Sequence, residues 1–259
     1  MKLKTSKDTI FVKNHGLQVD ADWERINRFY LAAGQTASIV APKPLEKRSS
    51  AGEIAYPRLD CSRPIFNQGR QNPMTFQRFG AALFELHSAT NEDSVSLDER
   101  VKALVRFGLS PTPARILASS FPNGLCHGDC WHGNVFCKSE GRFIVLDPIP
   151  APLMIEWMPN SAPGCIDLAY FCTSLFLGHR LIAFPKLDTN LLNHFASLTV
   201  RGYFMYHKKA VPYTEFYALC ARISELWIAQ FQARLTFPVR LAKEYLSHLL
   251  VKDAFFAGA

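Results

Sequence analysis

Residues 125–136 read Leu-Cys-His-Gly-Asp-Cys-Trp-His-Gly-Asn-Val-Phe, and residues 143–148 read Phe-Ile-Val-Leu-Asp-Pro. Two carboxylates, Asp129 and Asp147, and one carboxamide, Asn134, therefore sit around short apolar segments. Hard oxygen donors of this kind hold divalent cations such as Mg²⁺. A loop carboxylate accepts or orients the proton of an attacking hydroxyl. Together they meet the needs of phosphoryl transfer, which takes metal ligands for the dense charge of a triphosphate and one group for the acceptor hydroxyl. Asp129 is the candidate base, and Asn134 and Asp147 are the candidate metal ligands. Gly128 and Gly133 let the chain turn tightly about the first aspartate. A His-Gly-Asp string alone is compatible with a polar hairpin loop. The full pattern, with Asn five residues after the Asp and a strand ending in a second Asp, is far more specific. Zinc is the competing chemistry, since Cys126, His127, Cys130, His132 and Cys137 are all possible ligands. No Cys-x-x-Cys pair is present among them.

These residues need elements to position them. Lys2–Thr5 and Thr9–Lys13 read as short strands around the turn Ser6-Lys7-Asp8, the second rich in β-branched and aromatic residues. Asp22 is placed to cap a following helix on which Trp23, Ile26, Phe29 and Tyr30 recur at helical spacing, and Gly34 stands where it would stop. Ala37–Val40 and Glu53–Tyr56 read as two further strands of the same small sheet, joined by a loop with Pro42 and Pro44. Lys43, Lys47 and Arg48 in that loop read as solvated charges. Asp60–Gln71 carries Pro64, Asn67 and Gly69 and reads as a linker or hinge. Beyond it the pattern is helical. Asn72-Pro73 and Thr112-Pro113 open helices, and Phe76, Phe79, Leu83 and Leu86 mark one buried face. Three longer helices follow. Their stripes are Leu191, Leu192, Phe195 and Leu198; then Phe216, Leu219, Cys220, Ile223, Leu226 and Trp227; then Leu241, Tyr245, Leu246 and Leu249 after Pro238.

The motifs resemble those of the aminoglycoside phosphotransferase and choline kinase group of small-molecule kinases. His127-Gly128-Asp129 with Asn134 resembles their catalytic loop, and Val145-Leu146-Asp147 their metal-binding strand end. Gly164-Cys165-Ile166-Asp167-Leu168-Ala169 is similar to their Asp-Leu-Ala helix start, in which the aspartate braces the catalytic loop; a plain helix cap is the alternative for Asp167. The resemblance covers roughly Val12 to Phe171 and includes Ala41–Leu45 and Phe79–His87 in the order of the family. It implies an α+β, bilobal protein-kinase-like fold, with a reduced nucleotide lobe at 1–60 and a mostly helical lobe at 61–259. It implies ATP and Mg²⁺, with ATP in the cleft and its adenine near the Tyr56–Asp60 backbone. Asp129 would be the base, Asn134 and Asp147 the metal ligands, and His127 a strut. Lys13 would contact the α/β-phosphates, and Glu24, on the helix, would be its ion-pair partner. Ile149–Pro163, with Glu156 and Trp157, would border the acceptor, a hydroxyl of an aminoglycoside, amino alcohol, sugar or ketosamine. Trp131 and Pro148 resemble ketosamine kinases in particular. The family has a glycine-rich loop before the lysine strand, whereas none of the twelve residues before Lys13 is glycine. A minimal lid, a truncated start and a pseudokinase or nucleotide-binding module without turnover all fit that departure. A protein kinase fits less well, for want of an Ala-Pro-Glu-type segment.

Composition bounds the rest. Hydrophobic residues make up 48% of the 259 residues and aromatic residues 12%, enough for a packed core and against a disordered chain. The net charge of +7 and pI near 9.1 suit an anionic ligand such as ATP. No run of five Lys or Arg is present, so neither nucleic acid nor membrane is expected as a partner. Met1–Asp8 has no apolar segment of a signal peptide. Ile166–Phe184 is broken by Asp167, His179 and Arg180, too polar for a membrane helix. Seven cysteines without disulfide spacing read as free thiols of a cytoplasmic protein.

Overall fold

The computed structural model describes residues 10–59, 61–92, 94–138, 141–149, 161–182, 189–206 and 210–232. The expected strand at Lys2–Thr5, the segment around Glu156 and Trp157, and the helix after Pro238 lie outside them.

The first elements are β1 (Ile10–Asn14), α1 (Val19–Ala33), β2 (Ile39–Val40), β3 (Glu46–Arg48) and β4 (Glu53–Pro57). β1, β4 and β3 form an antiparallel sheet in that order, with Phe11 opposite Tyr56 and Lys13 opposite Ile54. Strand β3 was masked in the sequence by its charges. As an edge strand with every residue exposed it needs no apolar face. Lys47 instead bonds Asp20 of α1 at 2.7 Å. Ile39–Val40 does not join this sheet, contrary to the sequence expectation. It pairs in parallel with Phe143–Ile144 farther along the chain. Ile39 is buried there in the main core, which explains its apolar character. Helix α1 starts at Val19, ahead of the expected cap. Asp22 lies in its first turn and bonds His15 Nδ1 at 2.8 Å instead of capping.

The supposed linker contains a helix, α2 (Ile65–Gln71), with Ile65 and Phe66 buried. Gly69 is not a hinge: a Cβ there would meet the Phe76 ring at 2.0 Å, so the glycine permits close packing. Then come α3 (Met74–Ala89), α4 (Leu97–Arg106) and α5 (Pro111–Ser120). The sequence reading passed over α4. Its start is a capping box in which Ser96 and Glu99 each satisfy the other's backbone N–H. β5 (Asn123–Leu125), β6 (Val135–Cys137), β7 (Phe143–Val145) and β8 (Ser161–Pro163) follow, and then α6 (Cys165–Ile182), α7 (Thr189–Phe204) and α8 (Tyr213–Gln232). β7 lies between β2 and β6 in a second sheet, and β5 pairs with β8. No helix among the described residues is long and apolar enough to cross a membrane.

Phe76, Phe79, Leu83, Leu86, Leu192, Phe195, Phe216, Leu219 and Ile223 are buried as their spacing required. They form one core with β5–β7 and with Phe29, Ala32 and Ala33 of α1. A second, smaller cluster of Val19, Ile26, Ile54 and Tyr56 lies under the first sheet. Helix α1 therefore has a foot in each.

Candidate active site

β5 delivers the chain into the His-Gly-Asp loop, and the β6–β7 hairpin brings Asn134 and Asp147 to its mouth. Val135 pairs with Val145, and Leu146 N–H donates to the Asn134 carbonyl at 2.9 Å, so the two candidate metal ligands flank one strand end. Asp147 has φ 56°, the one positive value at a non-glycine among the described residues. Asp tolerates this left-handed conformation better than most residues. The turn is closed by Ile149 N–H donating to the Asp147 carbonyl at 2.7 Å.

Asn134 Nδ2 donates to Asp129 Oδ2 at 3.2 Å and to the Asp129 carbonyl at 3.1 Å. That leaves the amide Oδ1 for a cation. Asp129 also accepts from the Tyr170 hydroxyl on α6. Burial raises the Asp129 carboxyl above the usual aspartate range, while His127 and the Tyr170 and Asn134 hydrogen bonds act against the shift. The carboxylate is thus held by donors and made more basic by its surroundings.

His127 is fully buried, and burial lowers its pKa, so it is neutral. Asp129 N–H donates to Nδ1 at 3.2 Å, which assigns the remaining proton to Nε2, donating to the Leu146 carbonyl at 2.7 Å. The ring is a strut between the base loop and the metal strand. Asp167, fully buried in the first turn of α6, accepts the N–H groups of His127 at 2.6 Å and Gly128 at 3.0 Å. It also meets His87 Nε2 at 3.2 Å, and His87 Nδ1 meets the Tyr203 hydroxyl at 2.8 Å. Burial works to raise the Asp167 carboxyl, but hydrogen bonding and charge from His87, with His127 and Gly128, outweigh it and hold it below its ordinary value. This is the brace of the resemblance, and more than a helix cap.

The zinc alternative is not assembled. His132 N–H and Nδ1 are engaged with Ser174 Oγ, at 3.0 and 3.1 Å. Burial pushes the Cys126 and Cys130 thiols well up, which keeps them protonated.

Lys13 Nζ lies 2.7 Å from Asp147 Oδ1. Glu24, the expected partner, is exposed on α1. The rotation of α1 is set by Ile26 and Phe29, each about 1% exposed, and this turns Arg25 inward instead. Arg25 Nε donates to the Pro148 carbonyl and its Nη2 to the Cys126 carbonyl, both at 3.0 Å. The ring of Phe29, one turn on, meets His127 edge-on with centroids 5.2 Å apart. Beside Lys13 a cleft of about 470 Å³ opens between the first sheet and the hairpin. Ile10, Phe11, Pro42, Tyr56, Leu59 and Leu146 give it apolar walls, and Asp147 lies at its edge.

No protein-family model and no curated protein sequence matches the chain. Solved structures do. APH(2")-IIia, in complex with GDP and kanamycin, superposes with a TM-score of 0.58 over 97% of this chain and 88% of its own, at 12% identity. The chain has a bilobal, protein-kinase-like fold. Amicoumacin kinase hAmiN, in complex with AMP-PNP, Ca²⁺ and Ami, gives 0.54 over 94% and 81%, at 14% identity. A choline/ethanolamine kinase family protein from Mesorhizobium loti gives 0.51 over 95% and 80%, at 16% identity. In this kinase-like fold the first sheet is reduced, and the helical part holds the base loop and the hairpin of Asp147.

Sequence reasoning missed Arg25, His87 and Tyr170. A charge inside the apolar stripe of α1 was the signal for Arg25. Tyr170 stands three residues after Asp167, on the same face of a helix.

Proposed function

We propose that the protein is an ATP- and Mg²⁺-dependent phosphotransferase acting on a hydroxyl of a small molecule. The observation that carries this is the meeting of Lys13, Asp129, Asn134 and Asp147, from separate segments, at the end of an apolar cleft. Residues 1–60 would serve mainly the nucleotide and residues 61–259 the chemistry. Phe11, more than half exposed on the Lys13 face of β1, would lie against the base, and the Tyr56–Asp60 backbone would border it.

The donors fit a hard cation: a carboxylate already facing the Lys13 ammonium, and an amide oxygen left over from the bond to Asp129. Mg²⁺ held by Asn134 and Asp147 would neutralise charge on the phosphates. Lys13 would leave Asp147 for the α/β-phosphates. Asp129 orients the acceptor O–H toward the γ-phosphorus and takes its proton as the new O–P bond forms. The bond to the bridging oxygen breaks, ADP departs, and the proton passes to water. The neighbours' titles name kanamycin and amicoumacin; the acceptor proposed here is a hydroxylated compound of the aminoglycoside, amino alcohol, sugar or ketosamine class.

Acceptor-dependent ADP release across such compounds tests the reading. Asp129→Asn should keep the fold and ATP binding while lowering kcat by about 10²–10⁴-fold. Calorimetry should show ATP affinity that depends on Mg²⁺ and loses that dependence in Asp147→Ala. Equal affinity with Mg²⁺ and with EDTA would favour the pseudokinase alternative.

A further inference from the structure

Helix α1 carries the charge that reaches the site, and it is a cation. Arg25 is about 9% exposed, and its guanidinium spans two carbonyls, those of Cys126 and Pro148, at 3.0 Å each. Cys126 opens the loop that ends in Asp129, and Pro148 directly follows Asp147. One planar, rigid group thus bridges the strand end of the base and the strand end of the metal ligand. On the other side of the same gap His127 makes a parallel link, from the base loop to the Leu146 carbonyl. The spacing between Asp129 and Asp147 is cross-tied twice, once from within the loop and once from α1. Glu24 has no part in this, and Lys13 meets Asp147 directly.

We propose that Arg25 is a positioning residue that sets the distance and orientation of Asp147 relative to Asp129, and so couples helix α1 to phosphoryl transfer. The inference rests on the function proposed above. Two carbonyls on different strands need two donors at a fixed separation. Guanidinium supplies them in one plane, whereas a lysine ammonium is a single point that reaches one carbonyl at a time. Losing the tie lets the metal ligand and the base drift apart. Displacements near 1 Å in such sites cost about 10²-fold in rate.

The test uses the full chain and the variants Arg25→Lys and Arg25→Met. Three quantities are measured on each: Mn²⁺ binding with AMP-PNP present, read by electron paramagnetic resonance; kcat and KM for ATP in ADP release, with water as acceptor if no better one is known; and the melting temperature. The expected result is that Arg25→Lys melts near the parent but loses about 10²-fold in kcat and binds Mn²⁺ more weakly, with the KM for ATP nearly unchanged. Arg25→Met should lose at least as much. A folded Arg25→Lys with parental kcat and Mn²⁺ affinity overturns the proposal. So does failure of both variants to fold, since the arginine would then serve folding alone. A parent that binds no Mn²⁺ with the nucleotide overturns the proposed function and this inference with it. A parent that binds, beside variants that bind equally, overturns this inference only.

Discussion

Substituting Asp167 separates a helix cap from a brace by magnitude. A lost N-cap costs about 1 kcal/mol. The Asp167 carboxylate accepts two buried N–H groups, at 2.6 and 3.0 Å, and meets His87 at 3.2 Å. In Asp167→Ala both amides lose their acceptor, at about 1–3 kcal/mol each. Breaking a buried charged pair costs about 3–5 kcal/mol. Asp167→Asn should fare little better, because its one oxygen serves one amide and its NH₂ confronts the other. A loss of about 3–5 kcal/mol is a large part of a total stability of about 5–15 kcal/mol. It corresponds to a fall in Tm of roughly 6–20 °C for a chain of this size. Urea unfolding at neutral pH measures it, with ADP release alongside. The sign against pH is definite. The folded-state pKa is held down, so the stabilisation is present above the unfolded carboxyl value and is lost as pH falls through the folded one. The gap between parent and Asp167→Ala should therefore close at acid pH. If Asp167→Asn costs less than about 1 kcal/mol and keeps full activity, the bracing argument fails.

Other outcomes follow from the same geometry. Burial sets the Asp129 carboxyl above its ordinary range and the Tyr170 hydrogen bond opposes that shift, so kcat should fall on the acid side at higher pH than for an ordinary aspartate. Tyr170→Phe should move that limb higher still in a pH–rate profile; an unmoved limb would separate Tyr170 from the base. Lys13→Ala should raise the KM for ATP strongly in steady-state kinetics, and Glu24→Gln should leave it unchanged, since Glu24 is exposed and Lys13 meets Asp147. In Gly80→Ala a Cβ would fall 1.9 Å from the Thr199 carbonyl oxygen, where α3 crosses α7. Overpacking of about 1–3 kcal/mol should exceed the roughly 1 kcal/mol gained in helix propensity, and calorimetry should show a lower Tm.

Much of the site was legible because its chemistry is local. Asp129 and Asn134 are five residues apart, Asp147 ends the next strand, and the loop and hairpin were readable as one string. The apolar stripes of α3, α7 and α8 were legible for the same reason, since helical spacing shows within a few turns. What escaped depends on tertiary contact. Whether Glu24 or Arg25 faces inward is a matter of about 100° of rotation, set by what Ile26 and Phe29 pack against. The partner of Ile39–Val40 lies more than a hundred residues away, and a two-residue strand has no periodicity to read. Charged β3 and the glycine-bearing α2 each lacked the signal of their class. In β3 no face is buried, and in α2 the glycine makes room for a ring.

The pairing of β2 with β7 bears on where the polypeptide can be divided. A fragment beginning at residue 61 would strip β2 from the flank of β7, leaving Phe143 and Ile144 at a raw edge beside Asp147. It would also remove Phe29, Ala32, Ala33, Ile39 and Ala41 from the main core. The two halves are a division of labour and not separable bodies. A severing point between Ala41 and Leu45 would instead part β3 and β4 from a unit that retains α1, Arg25 and the strand beside the metal ligand. Split-protein reassembly, crystallisation fragments and fusions should be laid out on that seam.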